Sequence, residues 1–138
     1  MSVKRENDFV MKKILSASLM LMLCAAIAFA GEPKISFLEK NHDFGNIKEE
    51  KGPVKYEFEF TNTGDAPLMI ISAKGSCGCT VPSYSKKPIQ PGKKGKIKVT
   101  FSPAGRAGEF NKVVRVKLNT KEKYATLRIN GVVIPRKE

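Results

Sequence analysis

The sequence has no tryptophan, one histidine (His42) and three cysteines, and only 13 acidic residues stand against 25 basic ones. Each scarcity excludes something. A lone histidine leaves no His-rich metal cluster, and a hydrolase triad would have to be built on His42 without a clear nucleophile. No serine sits in a G-x-S-x-G context, and no glycine-rich loop leads into a helix to cradle a phosphate. The acidic residues are scattered rather than paired. These absences argue against an enzyme. The missing tryptophan and the lack of two cysteines far apart after residue 31 also remove the antibody-type core pin, so any sandwich must hold by packing alone.

Long hydrophobic runs are scarce too, with one exception near the N-terminus. Lys12 and Lys13 precede ILSASLMLMLCAAIAF, an uncharged stretch whose end, with Ala30, reads Ala28-Phe29-Ala30. A charged region, an apolar region and a small-x-small site together predict a secretory signal peptide over residues 1–30, cleaved between Ala30 and Gly31. The rival, an uncleaved anchor, is disfavoured because a membrane-spanning helix needs roughly 20 apolar residues. Leu21, Met22 and Leu23 before Cys24 do not suit a lipoprotein signal, and Met11 is an alternative start. Cleavage would remove four basic and two acidic residues, leaving 21 and 11, so the mature domain 31–138 carries +10 and only Cys77 and Cys79. The expected location is the periplasm or beyond it, where cysteine pairs meet oxidising conditions.

An excess of positive charge suits nucleic acid, anionic membranes or acidic polymers. Export argues against nucleic acid, and no membrane span remains after cleavage. The basic residues recur in KKGKIKV, VVRVKL and TKEKYATLRI, where alternation puts them on solvent faces. The expected partners are therefore another envelope protein or an anionic envelope polymer.

After residue 31 the pattern is short alternation broken by Gly, Pro, Asn and Asp, the mark of antiparallel strands. VKYEFEFTN sets Val54, Tyr56, Phe58 and Phe60 against Lys55, Glu57, Glu59 and Thr61. PLMIISAK is apolar on both faces (Leu68, Ile70; Met69, Ile71), which predicts a central strand. KIKVTF, NKVVRVKLNT and YATLRINGVVI alternate in the same way, and KISFLEK and HDFGNI supply short edge strands. The prediction is all-β: an immunoglobulin-like two-sheet antiparallel sandwich of about seven strands. Its core would hold Phe44, Tyr56, Phe58, Phe60, Leu68, Ile70, Ile97, Val99, Phe101, Val114, Val116, Leu118, Leu127 and Ile129. In the turn TNTGDAPL, which joins strand to strand, Gly64 permits positive φ and Asp65 can bond its own backbone. Pro88 and Pro91 would stiffen a loop or blunt an edge.

The stretch GSCGCTVP carries the chemistry. Gly75 and Gly78 allow unusual backbone angles, and side chains two apart on an extended chain share one side. Two thiolates of Cys77 and Cys79 would suit Cu(I); His42 adds a ligand only if its segment lies beside this loop. A disulfide between them requires the chain to bend at Gly78, because extended residues i and i+2 lie about 6.5–7 Å apart. Such a ring would be tight, easily reduced and of little use to stability. Two inert, partly buried thiols are the plain alternative. Sequence leaves these choices open.

The order HDFGNI, FEFTNTGDAPLMI, SCGCTVP, PIQPGKKGKIKVTF, VRVKLNT and LRINGVV resembles the domain of unknown function family 1573, from about Ile35 to Val133. The family is similar to exported and ciliary Ig-like modules related to the major sperm protein and pilus-chaperone folds. The resemblance implies a secreted β-sandwich and no particular activity. The functional expectation is an exported, non-catalytic binding or accessory module of the cell envelope. The alternative is a periplasmic thiol protein using Cys77-Gly78-Cys79 for copper binding or disulfide exchange.

Overall fold

The structure is a computed structural model that describes residues 2–25 and 31–138. It contains two units: one holds helix α1 (Ser2–Ala25), the other is the β domain Glu32–Glu138. Among the described residues no helix is long and apolar enough to cross a membrane. Of the predicted cleavage site, Ala30 lies outside the described residues, as does the side chain of Cys24.

Eight strands build the β domain: β1 (Ile35–Phe37), β2 (Asn41–Lys48), β3 (Val54–Asn62), β4 (Ile70–Gly75), β5 (Thr80–Tyr84), β6 (Lys94–Phe101), β7 (Gly108–Leu118) and β8 (Tyr124–Ile134). They form two four-stranded sheets, β1-β3-β6-β5 and β2-β8-β7-β4. This is the two-layer arrangement of an immunoglobulin-type sandwich: the chain alternates between the sheets from β1 to β5, and the strands bury the apolar half of each alternation. In β3, Phe58 and Phe60 are buried while Lys55 and Glu57 are exposed. Ile97, Val99 and Phe101 in β6, Val114, Val116 and Leu118 in β7, and Leu127 and Ile129 in β8 fill the space between the layers. Phe44 and Tyr56 pack at its margin, and Ile47, Phe110 and Val133 join the buried set. Stacking of Phe101 on Phe110, with ring centroids 4.0 Å apart, ties β6 of one sheet to β7 of the other.

Three features depart from the sequence reading. The eighth strand is β5, TVPSY, whose Pro82 lacks an N–H and marks it as an edge strand. PLMIISAK is not central: β4 is an edge strand, and Met69 and Ile71 are 42 % and 53 % exposed. A register shift between Ile70 and Ser72 makes Ile71 the extra residue, so apolar character on both sides did not mean burial on both. Finally, β2 pairs with β8 in parallel, with a second irregularity between Asp43 and Asn46.

The turn after β3 holds together differently from the expectation. Asn62 is fully buried; its Nδ2 donates to the carbonyls of Ala66 (2.8 Å) and Ile89 (2.9 Å), and its Oδ1 accepts from Gly64 N (3.0 Å). Its backbone N–H donates to Lys93 O and its carbonyl accepts from Gly92 N, so one asparagine satisfies the groups of three chain segments. Gly64 is not a positive-φ residue; it is small because a Cβ there would strike the backbone of Glu32 and Lys34. Asp65 reaches Glu32 N through Oδ1 (2.8 Å) rather than its own backbone. Between Pro88 and Pro91, Ile89 makes a two-bond bridge with Leu68 that closes this end of the sandwich.

Candidate functional site

Two regions carry chemistry beyond folding. The first is the corner where the chain leaves β4 at the edge of one sheet and enters β5 at the edge of the other. Ser76 N donates to Val113 O (2.8 Å) and Val113 N to Ser76 Oγ (3.2 Å), carrying the β4–β7 pairing one residue past Gly75. The chain then turns, with Thr80 N bonded to Cys77 O (3.2 Å) and Ser102 N to Cys79 O (2.9 Å). That turn brings the Cα atoms of Cys77 and Cys79 to 5.2 Å, and the two sulfurs are joined. Cys79 is 3 % exposed and packs with the core; Cys77 is half-buried. Neither glycine of the stretch takes positive φ. Gly75 is required because a Cβ would meet the carbonyl of Thr80, whereas Gly78 faces open space. Thr80 is buried at 2 % exposure, and its Oγ1 lies 3.6 Å from both sulfurs. Sequence reasoning passed over Thr80; its position directly after the second cysteine was the available signal.

His42 does not join this corner. It stands on β2, at the far edge of the sheet from β4, with β8 and β7 between them. Three interstrand steps of about 4.8 Å separate the two edges by roughly 14 Å. Its ring lies flat on Tyr56, 3.6 Å between centroids, and meets Phe44 edge-on at 4.6 Å, so it packs the margin between the sheets. Among the described residues no three His, Cys, Asp or Glu side chains gather as a metal site. Tyr56 itself donates to Glu39 Oε2 (2.9 Å), and that bond holds its phenol above the ordinary pKa, assisted by desolvation.

The second region is the outer face of the β2-β8-β7-β4 sheet. The register sets Lys74 opposite Arg115, Ser72 opposite Lys117, and Lys117 opposite Tyr124, with Arg128 one row along. Arg115 lies over the Tyr124 ring at 4.0 Å, and Arg128 donates to Asn111 Oδ1 at 2.9 Å. A shallow cavity of about 330 Å³ opens between Ser72, Lys74, Arg115, Lys117 and Tyr124. Among the described residues no ion pair engages any of these four cations. At the other end of the same face, Asp43, Asn46, Glu109, Asn111 and Asn130 line an open groove of about 650 Å³. The opposite sheet differs: there Lys94 meets Glu59 and Lys96 meets Glu57, each at 3.2 Å.

A two-sheet sandwich with an edge strand running parallel to the last strand defines an Ig-like, PapD-like module, and solved structures agree. A protein of unknown function from Porphyromonas gingivalis W83 superposes with a TM-score of 0.62 at 16% identity, over 74% of this chain and 46% of that one. The ASH/PapD-like domain 7 of human CEP192 gives 0.57 at 15%, over 77% and 89%. Vibrio cholerae VesB protease gives 0.58 at 16%, over 73% of this chain and 32% of the protease. The chain thus spans under half of the Porphyromonas protein and about a third of VesB. At these identities the likeness is one of fold. No curated protein is significantly similar in sequence. The family model "Protein of unknown function (DUF1573)" matches residues 35–133, and the chain belongs to that family.

Proposed function

We propose that this protein is an exported, non-catalytic binding or accessory module of the cell envelope, and that it docks an anionic envelope polymer on the basic end of its β2-β8-β7-β4 face. The observation that carries the reading is the block of Lys74, Arg115, Lys117 and Arg128 on neighbouring outward positions, none of them engaged by an acidic partner among the described residues. Like charges directly across a β ladder are unfavourable, so a fold under selection for stability alone gains nothing from Lys74 opposite Arg115. A repeating anion relieves that repulsion and at the same time meets the Tyr124 and Ser72 side chains in the cavity. The N-terminal charged, apolar and small-residue pattern supports export. The single histidine spends its ring on packing, in keeping with a non-catalytic role.

The test is titration of the purified protein with a carboxylated or sulfated polysaccharide at several salt concentrations. Binding should weaken steadily with salt. The double variant Arg115→Glu/Lys117→Glu should lose about a thousandfold in affinity, at about 1 kcal/mol for each charge removed near an anionic surface and as much again for each charge added. Lys94→Glu/Lys96→Glu on the other sheet should lose far less. Equal losses from both variants, or no binding at low salt, would sink this assignment. Recovery of one acidic envelope protein instead of the polymer would move the partner to the other class.

A further inference from the structure

We propose that Cys77 and Cys79 form an exchange-active disulfide that oxidises a dithiol of a protein substrate, with Thr80 as the hydroxyl that receives the departing sulfur. The activity stands apart from the docking face and needs no anionic polymer. Four observations carry it. The bridge spans one residue, so it restrains almost none of the unfolded chain and contributes little to stability. It sits at the corner between two edge strands, where Gly78 leaves open space beside it. The two sulfurs are unequal, since Cys77 is half-buried and Cys79 is 3 % exposed. An incoming thiolate therefore has its approach at Cys77. Lastly, the buried hydroxyl of Thr80 has only the two sulfurs as side-chain partners among the described residues. A disulfide sulfur is a weak acceptor and a thiolate a strong, charge-assisted one, so this hydroxyl bonds better once the bridge opens.

The reaction balances as follows. A substrate thiolate attacks Cys77 Sγ, forming a substrate–Cys77 disulfide while the Cys77–Cys79 bond breaks. The bond's electron pair leaves on Cys79 Sγ, to which Thr80 Oγ1 donates. The second substrate thiol, deprotonated, attacks its own sulfur in the mixed disulfide and releases Cys77 as a thiolate. The substrate has lost two electrons and two protons and holds a new disulfide; Cys77 and Cys79 have gained both and become thiols. Apart from Cys24, the chain has no further cysteine to shuttle the bond internally, so the pair depends on an external dithiol.

The experiment mixes the oxidised protein with a reduced two-cysteine peptide, quenches with acid, alkylates free thiols and reads both masses. Expected are one peptide disulfide formed for each protein that gains two alkyl groups and, with a one-cysteine peptide in excess that cannot resolve it, a peptide–Cys77 mixed disulfide on the natural protein. Peptide mapping of that adduct should place the peptide on Cys77 and leave Cys79 as the free thiol. Thr80→Val should slow exchange about tenfold, the value of a hydrogen bond to a charged group, while its melting point is followed separately. A peptide that stays reduced overturns the proposal, as does a protein isolated with two thiols holding a copper ion. An unaltered rate in Thr80→Val removes Thr80 from the mechanism.

Discussion

The two outer faces of the sandwich are both rich in lysine, yet they behave as opposites. On the β1-β3-β6-β5 sheet, Glu57 and Glu59 of β3 stand across from Lys98 and Lys96 of β6, and the lysine chains lean to make two ion pairs. On the β2-β8-β7-β4 sheet the cross-strand neighbours of Lys74, Arg115, Lys117 and Arg128 are Ser72, Tyr124, Thr126, Val113, Asn41 or another cation. The first face pairs two of its lysines with glutamates, and the second has no such pair at Lys74, Arg115, Lys117 or Arg128 among the described residues. Charge count alone does not decide which cations are paired; the register that sets which charges are neighbours does.

The largest effect should come from the core that supports both faces. Asn62→Ala removes a fully buried side chain that donates to the part-buried carbonyls of Ala66 and Ile89, leaving Ala66 O without that donor and Ile89 O with only Leu68 N, and should cost about 2 kcal/mol in urea unfolding. Residual folded protein should still bind polyanion through the same face, which keeps the comparison one of surfaces. Next, charge reversal should affect the stability of the two sheets in opposite senses. Lys94→Glu/Lys96→Glu breaks two exposed pairs and places like charges together, lowering stability by about 1 kcal/mol. Lys74→Glu gives Arg115 an opposite charge across the ladder while leaving it over the Tyr124 ring, and should raise stability by about 0.5 kcal/mol. A fall in both would erase the distinction.

The smallest effect concerns a carboxylate anchored to backbone rather than to cations. Glu49, in the one-turn 3-10 helix Glu49–Lys51 after β2, accepts from Gly105 N at 2.8 Å and Arg136 N at 3.0 Å. The Gly105 bond first, then the Arg136 bond, lower its pKa below 4.5. A depressed folded pKa means that the contribution to stability is complete above about pH 4.5 and disappears as pH falls through the folded value. Thermal melts between pH 7 and pH 3 should show a slightly shallower acid decline in Glu49→Gln.

Much of the fold was legible because alternation is local. Phe58, Phe60, Ile97, Val99, Val114, Val116, Leu127 and Ile129 are buried as their spacing predicts. The errors fell where a residue's setting depends on distant chain. Ile71 and Met69 suggested a central strand but sit on an edge, because β7 offers β4 a partner on one side only. Gly64 and Gly75 suggested special dihedral angles but answer to backbone approaching from Glu32 and Thr80. The cysteine pair was plain in the sequence, while Thr80 beneath it was not, since a hydroxyl in a strand acquires meaning only from what it faces.

The sequence by itself determined the strand pattern, the apolar set that fills the core, the excess of positive charge and the presence of two cysteines one residue apart. These follow from side-chain chemistry and a two-residue period, both readable along a single chain. Only the tertiary structure decided which lysines meet glutamates, which strand is an edge, that His42 lies across the sheet from the cysteines, and that one threonine hydroxyl serves both sulfurs. Those are distances between segments far apart in the chain, and they are set by the register and packing of the whole domain rather than by any stretch of it.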